Sequence, residues 1–245
     1  MRLAVISDIH GNLHALEAVL ADIRARCVDA TVNLGDCVSG PLWPRETYAL
    51  LKSLDLPTVR GNHDRWMVDR SVQDLMPADC FAHAALLAEE RFTLHALPAT
   101  IDFNGDILAV HGTPADDSQY LTEEEHENHL IPASRALLAE RLGSAATRQV
   151  VLCGHSHRQS VTQFPGGCLI VNPGTVGCPV FADIPESHQF GPCSPHARYA
   201  ILTRRNGHWG AELLALEYDW DKASACASAN GFPRWAEALA VGAVA

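Results

Sequence analysis

The stretch Leu3-Ala-Val-Ile-Ser-Asp-Ile-His-Gly-Asn12 begins with a short apolar run that gives way abruptly to polar residues. Residues 3–6 are apolar without alternation and rich in β-branched side chains, which is typical of a strand covered on both faces in an α/β sheet. Asp8 and His10 follow where such a strand would leave the sheet. Side chains two residues apart in an extended chain point the same way, so this carboxylate and imidazole could share one metal ion. An ordinary polar loop would show the same pattern, so the interpretation depends on further ligands elsewhere.

Further ligands do follow the later predicted strands. Apolar segments at residues 31–34, 57–60, 107–110 and 150–153 each run directly into polar side chains, namely Asp36, Asn62 with His63, His111, and His155 with His157. Open α/β sheets place their ligands at these carboxyl ends of strands. The set of carboxylates, one amide oxygen and several imidazoles is more than a single ion can use. Oxygen and nitrogen donors without thiolate favour Mn, Fe, Zn, Ni or Co over a Ca or Mg cage or a cysteine-based zinc site.

The segments between these strands are predicted to be mostly helical in the first half of the chain. Asn12 is a suitable N-cap for a helix that reaches about residue 26, and Pro44 begins a second helix that reaches about residue 54. A helix is also expected at residues 133–142. The pair Thr122 and Glu125 matches a capping box, and the acidic run at residues 123–125 is interpreted as a solvated helix start.

The second half of the chain is predicted to be richer in β-structure. Alternating residues at 160–164, 169–171, 199–203 and 211–218 indicate a mainly antiparallel set of strands. Residues 178–198 show no period and are expected to form one long loop. The Ala-rich tail after Asp221 is expected to be peripheral.

The composition bounds the class of protein. The chain has 245 residues, of which 47% are hydrophobic, and we expect a single domain at residues 1–245. Its net charge of -11 argues against general nucleic-acid binding, which needs clustered Lys and Arg. No apolar run is long enough to span a membrane and no signal-peptide pattern is present, so a cytoplasmic protein is expected. The 8 cysteines include no Cys-x-x-Cys pair and are expected to be reduced. The oligomeric state is left open.

Taken together, Asp8-x-His10, Gly35-Asp36, Gly61-Asn-His-Asp64, His111 and Gly154-His-x-His157 resemble the motifs of the calcineurin-like metallophosphoesterase superfamily, in that family's order. The short chain resembles its compact prokaryotic branch of phosphodiesterases and phosphatases. This resemblance implies an α/β (α+β) fold, a four-layer αββα sandwich of two mixed β-sheets flanked by helices. Residues 65–100 and 114–142 would then be helical, cap-like segments that set substrate choice.

The resemblance also implies a role for each motif residue. Two divalent transition-metal ions are implied, with Mn favoured and Fe, Zn, Ni or Co as alternatives. The first ion would be bound by Asp8, His10, Asp36 and His157, and the second by Asp36, Asn62, His111 and His155. Asp36 would bridge them, because a carboxylate has two oxygens. His63 would donate a proton to the leaving oxygen or orient the phosphate, and Asp64 would hold its ring, so these two are the predicted catalytic residues.

Two more residues are candidates for substrate binding. Asn12 could face the phosphate or could only cap its helix, and Arg158 could meet a substrate phosphate or pair elsewhere. The predicted function is hydrolysis of a phosphodiester or phosphomonoester in a small phosphoester or nucleotide substrate, by attack of a metal-activated hydroxide. One alternative is a dinucleoside-polyphosphate (Ap4A-type) hydrolase. Another is a non-catalytic binding scaffold with this fold. Phosphoprotein phosphatase activity is disfavoured, because residues 35–40 lack the Gly-Asp-x-x-Asp-Arg-Gly of that group.

Overall fold

The computed structural model describes residues 1–127, 129–180 and 194–243. The strands, in chain order, are β1 (Arg2–Ile6), β2 (Ala30–Asn33), β3 (Thr100–Phe103), β4 (Ile107–Val110), β5 (Glu123–His126), β6 (His129–Pro132), β7 (Val150–Leu152), β8 (Gln159–Gln163), β9 (Leu169–Pro173), β10 (Ala197–Arg205) and β11 (His208–Leu216). The helices are α1 (Leu13–Ala25), α2 (Pro44–Leu54), α3 (Asn62–Asp69), α4 (Pro77–Ala85), α5 (Ala88–His95), α6 (Arg135–Leu142), α7 (Trp220–Ala229) and α8 (Pro233–Val241).

The larger strands form two mixed sheets. The first has the order β11-β10-β1-β2, with β1 parallel to β2 and antiparallel to β10. The second has the order β3-β4-β7-β9-β8, with β4, β7 and β9 parallel and the two edge strands antiparallel. Strands β5 and β6 form a separate hairpin. The predicted segment at residues 57–60 contributes only a bridge between Thr58 and Asn33.

Alternate residues of the central strands face opposite layers, which produces a four-layer sandwich. Leu3 and Val5 of β1 pack against the second sheet in a core that also contains Val150 and Leu152 of β7. The intervening Ala4 and Ile6 of β1 face the other way and pack on buried side chains of α1. On the far side of the second sheet, residues of β7 and β9 pack on α6. The predicted αββα sandwich of two mixed sheets is therefore confirmed.

Helix α1 begins as predicted, because the Asn12 side chain accepts a hydrogen bond from the amide of Ala15. Residues 65–100 are mostly helical, as expected of a cap-like segment. Residues 114–142 differ from the prediction, since they contain the β5–β6 hairpin and only α6 as a helix. The predicted helix start at residues 123–125 is wrong: Glu123 is buried in β5, where its carboxylate accepts a hydrogen bond from Thr122.

The chain after β11 is more integrated than the prediction of a peripheral tail implies. Helices α7 and α8 bury Ala223, Ala227, Trp235 and Leu239 in a cluster that also includes Leu42 from the loop before α2. The predicted loop at residues 178–198 lies largely outside the described residues, and its end belongs to β10. No two cysteines among the described residues form a disulfide with each other. None of the described helices combines the length and apolar character needed to cross a membrane.

Candidate metal centre

The predicted metal ligands meet at the ends of the parallel strands of both sheets. Two groups of side chains have ligand atoms within 4.8 Å of one another: the first comprises Asp8, His10 and His157, and the second comprises Asp36, His111 and His155. The Oδ1 atom of Asn62 lies 2.9 Å from Nε2 of His111, which adds the amide oxygen to the second group. All seven predicted ligands are therefore in one place. That they bind metal stays a prediction.

The loops after the strands hold the ligands in an unusual backbone conformation. The φ angles of Asp8, His10, Asp36, His155 and His157 all lie between 50° and 66°, in the left-handed region. Residues other than glycine rarely adopt this conformation, and at functional sites it is maintained by the surrounding structure. The convergence of Asp8 with His10 therefore arises from tight left-handed turns after β1, which ends at Ile6, and not from the alternation of an extended strand.

Backbone hydrogen bonds connect these turns to each other. The amides of Asp8 and His10 donate to the carbonyls of Gly35 and Asp36 at 3.0 Å, which joins the turn after β1 to the turn after β2. The amide of His155 donates to Oδ2 of Asp8 at 3.2 Å and so connects the two sheets. The amide of His63 donates to Oδ1 of Asp36 at 3.0 Å. The site is thus fixed by the main chain as well as by its side chains.

Asp36 lies between the two groups of ligands. Its Oδ2 atom is 3.2 Å from Nε2 of His111 in the second group and 3.9 Å from Nε2 of His10 in the first. The Oδ1 atom of Asp8 is buried, has no hydrogen bond within the described residues, and lies 3.3 Å from Nε2 of His157. These two carboxylates are therefore surrounded by imidazole nitrogens.

Hydrogen bonds to carbonyl oxygens set the orientation of three of the imidazoles. The Nδ1 atoms of His10, His111 and His157 lie 2.7–2.8 Å from the carbonyl oxygens of Ser39, Leu34 and Cys178. A carbonyl only accepts, so Nδ1 carries a proton, and Nε2 is the atom that has its lone pair directed into the site when the ring is neutral. The Nε2 atoms of His10 and His157 are only 3.1 Å apart, a contact that a shared cation would stabilise.

The charges of the site favour a bound cation. Burial alone would raise the pKa of Asp8, but His157 and His111 outweigh it and hold this pKa at about 2. Burial lowers the pKa of His10 to about 4 and that of His155 to about 3, so both imidazoles are neutral at pH 7 and have lone pairs to donate. Burial likewise lowers the pKa of His111, but the Asp36 carboxylate raises it to about 10. The site therefore stabilises positive charge, and its donors fit divalent transition-metal ions.

Two glycines allow other parts of the chain to approach the carboxylates closely. A Cβ atom added to Gly61 would lie 2.1 Å from Oδ1 of Asp36. A Cβ atom added to Gly154 would lie 2.1 Å from Oγ of Ser7 and 2.9 Å from Oδ2 of Asp8. Any side chain at either position would displace a carboxylate of the site, which explains why glycine precedes Asn62 and His155 in the motifs.

The partner of His63 differs from the sequence-based prediction. Its Nδ1 atom lies 2.7 Å from Oδ1 of Asp79, a buried carboxylate in the first turn of α4. Asp64 does not hold the ring; its carboxylate accepts hydrogen bonds from the amides of Asp36, Cys37 and Gly61 at 2.9–3.0 Å. Asp64 faces the main chain because it is the third residue of α3, where a carboxylate caps the helix. No motif spacing in the sequence pointed to Asp79.

Burial opposes protonation of His63, yet the carboxylates of Asp79 and Asp36 raise its pKa to about 9. In the absence of metal ions this ring is therefore cationic at pH 7. Its Nδ1–H donates to Asp79, and Nε2–H is the remaining donor.

The predictions for Asn12 and Arg158 are not supported by their contacts. The amide nitrogen of the buried Asn12 donates to the carbonyl of Gly177 and the hydroxyl of Tyr218, both at 3.1 Å, and its oxygen caps α1. The capping role of Asn12 is thus present, and its contact with substrate stays a prediction. Arg158 donates from a terminal guanidinium nitrogen to the carbonyl of Leu130 in the hairpin. Its contact with substrate stays a prediction.

Comparison with known proteins identifies the family of this chain. A sequence model described as the calcineurin-like phosphoesterase superfamily domain matches residues 1–188. A solved metallophosphoesterase from Sphaerobacter thermophilus is 28% identical, with 98% of each chain covered and a TM-score of 0.71. The hypothetical protein PH1004 from Pyrococcus horikoshii OT3 has a TM-score of 0.76 at 19% identity, with 100% of this chain and 99% of that chain covered, so it supports the fold alone.

The comparison with curated sequences extends over nearly the whole chain. The protein named "Uncharacterized protein MJ0912" from Methanocaldococcus jannaschii is 27% identical over an alignment 257 positions long, which covers 95% of this chain and 94% of that protein. The family match spans every predicted ligand from Asp8 to His157. The chain therefore belongs to the calcineurin-like phosphoesterase superfamily.

Proposed function

We propose that this protein is a metal-dependent hydrolase that uses two divalent ions to cleave a phosphodiester or phosphomonoester. The observation that supports this most strongly is the pair of adjacent ligand groups, with Asp36 Oδ2 3.9 Å from His10 in one group and 3.2 Å from His111 in the other. A site for a single structural ion would not need a second complete set of donors. Manganese is the ion that we expect to support activity, among the metals that these donors accept.

The ligands named above would hold the ions, which when bound would supply an acidified water as nucleophile and offset charge on the phosphoryl oxygens. The protein would contribute a rigid set of donors. Three imidazoles are fixed through Nδ1 to the main chain, and both carboxylates are fixed by backbone amides. Such preorganisation limits the rearrangement needed during the reaction.

His63 would bind the phosphate and protonate the leaving oxygen through Nε2. Its ring centroid lies 5.4 Å from that of His10, so it borders the first group of ligands without belonging to either. Asp79 fixes the ring through Nδ1, and this leaves Nε2 as the atom that can transfer a proton. A positioned imidazole of this kind is a common general acid.

The rival proposal, a binding scaffold without activity, would be favoured by missing ligands. Every predicted ligand is present and buried or half-buried in the site, with its lone pair or carboxylate directed at the others. Five of these ligands lie in the left-handed backbone region, a conformation that costs about 1–3 kcal/mol per residue and that a binding surface elsewhere on the fold would not require. The intact site therefore favours the hydrolase.

The test is hydrolysis of bis(p-nitrophenyl) phosphate by chelator-treated protein with and without added Mn²⁺. We expect Mn²⁺-dependent turnover that falls at least about a hundredfold in Asp36→Asn, because this carboxylate faces both groups of ligands. The matched control is Asp55→Asn, an exposed aspartate that also has a left-handed backbone and lies away from the site. The proposal fails if the wild-type protein shows no metal-dependent turnover of diesters or monoesters.

A further inference from the structure

A cavity of about 230 Å³ lies against the candidate metal centre. Its lining includes three of the site's imidazoles, those of His10, His63 and His155, together with Asn62. The cavity therefore adjoins the position that the alcohol part of a phosphoester would occupy when its phosphate lies at the metal centre. The chemistry of the remaining lining residues indicates which alcohols the cavity would accept.

Three aromatic rings from separate parts of the chain form the walls of the cavity: Trp66 on α3, Tyr120 in the loop before β5 and Trp235 on α8. Each of these rings contacts a different imidazole of the site. Trp66 lies 4.8 Å from His63, Tyr120 lies 4.8 Å from His155 and Trp235 lies 6.3 Å from His10, measured between ring centroids. The aromatic walls therefore begin directly beside the reacting groups.

The aromatic rings are held in place by their own contacts. The Arg70 guanidinium lies 3.6 Å from the centroid of the Trp66 ring and covers it, and Tyr120 stacks on His155 with an angle of 27° between the rings. Trp235 is only 5% exposed and packs within the α7–α8 cluster. Rigid aromatic walls bind flat groups with little loss of conformational freedom.

The charge of the cavity excludes a long anionic ligand. Its lining, within the described residues, contains no Lys or Arg, and it includes the carboxylates of Asp79 and Glu125. The cationic side chain in this lining, His63, is already paired with Asp79, so a chain of further phosphates would find no second cation among the described lining residues and would meet the Glu125 carboxylate. The cavity therefore suits an uncharged group attached to the phosphate that is cleaved. This argues against a polyphosphate chain bound along this cavity.

We propose that the cavity selects phosphoesters whose alcohol carries a flat aromatic or heteroaromatic group, such as a nucleoside or an aryl-substituted alcohol. This inference rests on the proposed phosphoesterase function and specifies its substrate class. Trp66, Tyr120 and Trp235 determine the specificity by stacking on or packing against the flat group. Base–aromatic stacking of this kind is tolerant of the identity of the ring, because every base has a π-face.

The first test measures binding without turnover. Ligand-observed NMR titrations of the metal-free protein compare adenosine with ribose, and 2-phenylethanol with 2-cyclohexylethanol. We expect the flat member of each pair to bind about tenfold more tightly, since one stacked ring contributes about that much. Tighter binding in the adenosine pair alone supports nucleosides as the source of the flat group. Equal affinities within both pairs would overturn the inference.

Variants connect any preference to the cavity walls. Tyr120→Leu should lower the ratio of the affinities for adenosine and ribose at least about threefold. Tyr120→Phe should leave this ratio unchanged, because the ring is kept. Trp66→Leu tests a second wall of the cavity independently, in case circular dichroism shows that Tyr120→Leu impairs folding. Phe92→Leu is the matched control, because Phe92 is 60% exposed on α5 and does not line the cavity. A preference that survives both leucine variants in the cavity would contradict the assignment.

Turnover separates this inference from the proposed function. The Mn²⁺-loaded protein should hydrolyse adenosine 5′-monophosphate with a kcat/KM about tenfold above that for ribose 5-phosphate, which has the same leaving oxygen without the base. Turnover of both esters at equal kcat/KM would overturn the aromatic specificity and leave the phosphoesterase function standing. Selective binding with no turnover of any phosphoester would overturn both.

Discussion

His63 and its two neighbouring aspartates show how residue roles depend on geometry more than on sequence position. Asp64 is adjacent to His63 in sequence, but its carboxylate accepts hydrogen bonds from three main-chain amides and so holds the turn that contains Asp36. Asp79 comes from α4 and is the group that contacts the ring. Asp64 thus supports the metal-binding turn, and Asp79 positions the proposed general acid.

This division of roles predicts different effects for the two substitutions. Asp79→Asn should lower kcat by about tenfold or more while the Mn²⁺ content is unchanged, because His63 loses the carboxylate that orients and charges it. Asp79 raises the pKa of His63, and a general acid is active only while protonated. The alkaline limb of the kcat profile should therefore move to lower pH in the variant. The measurement is kcat against pH for both proteins.

Asp64→Asn is the control for this prediction. The side-chain amide of the new asparagine can accept fewer main-chain hydrogen bonds than the carboxylate of Asp64. The free energy of unfolding should therefore fall by about 1–3 kcal/mol. The alkaline limb of kcat should stay where it is. An Asp64→Asn protein with normal stability and a shifted limb, beside an unaffected Asp79→Asn protein, would show that the assignment of the two aspartates is reversed.

The ligands could be predicted from the sequence because each follows a short apolar segment, and all of these segments except residues 57–60 before Asn62 are strands whose ends meet in space. The backbone conformation that directs these side chains into the site could not be predicted from the sequence. Asp8 and His10 converge through left-handed turns, which depend on hydrogen bonds to the carbonyls of Gly35 and Asp36 far along the chain. Asp79 had no signal either, because a carboxylate at the start of a helix is also expected to interact with the helix dipole alone.

At the level of elements, the strand–turn–helix units of the first half follow local rules, and the sequence predicts them well. Helix α1 begins directly after its predicted cap, Asn12, and α2 begins at the predicted Pro44. The hairpin at Glu123–Pro132 was wrongly assigned because its acidic run is a favourable helix start in isolation. Its strand conformation comes with the antiparallel pairing of β5 with β6, and Arg141 from α6 donates a hydrogen bond to the Glu123 carbonyl.

One contact between elements predicts a pH-dependent stability. The buried Tyr199 of β10 donates a hydrogen bond through its hydroxyl to Asp22 of α1, across the core between helix and sheet. Burial tends to raise the pKa of Asp22, but the hydrogen bonds from Tyr199 and Arg26 lower it below 3.8. A lowered pKa stabilises the fold above about pH 4, and this stabilisation is lost as the pH falls through the folded value.

Tyr199→Phe should therefore destabilise the protein by about 1 kcal/mol at pH 7, and the difference from wild type should shrink towards pH 3. Urea unfolding of both proteins across this range is the measurement. Tyr48→Phe is the control, since this second buried tyrosine has no carboxylate hydrogen bond in the described part of the chain. A difference that is constant with pH would contradict the assigned role of the Asp22 carboxylate.

At the level of the whole molecule, the site joins segments that are distant in sequence. Ligands follow strands of both sheets, His63 belongs to α3 between the two sheets' strands β2 and β3, and Trp235 reaches His10 from α8 near residue 240. The role of the tail could not be predicted, because an Ala-rich helix has few signals that distinguish a surface position from packing beside a cavity. Its cluster with Leu42 arises only when the chain is folded.

The central claim is that the two groups of ligands bind two ions that act together in hydrolysis. The most direct measurement adds Mn²⁺ stepwise to chelator-treated protein and follows both bound metal and the rate of bis(p-nitrophenyl) phosphate hydrolysis. The account predicts that the rate rises until about two ions are bound per chain and then levels off. Full activity with one ion bound, or no activity with two ions bound, would contradict it.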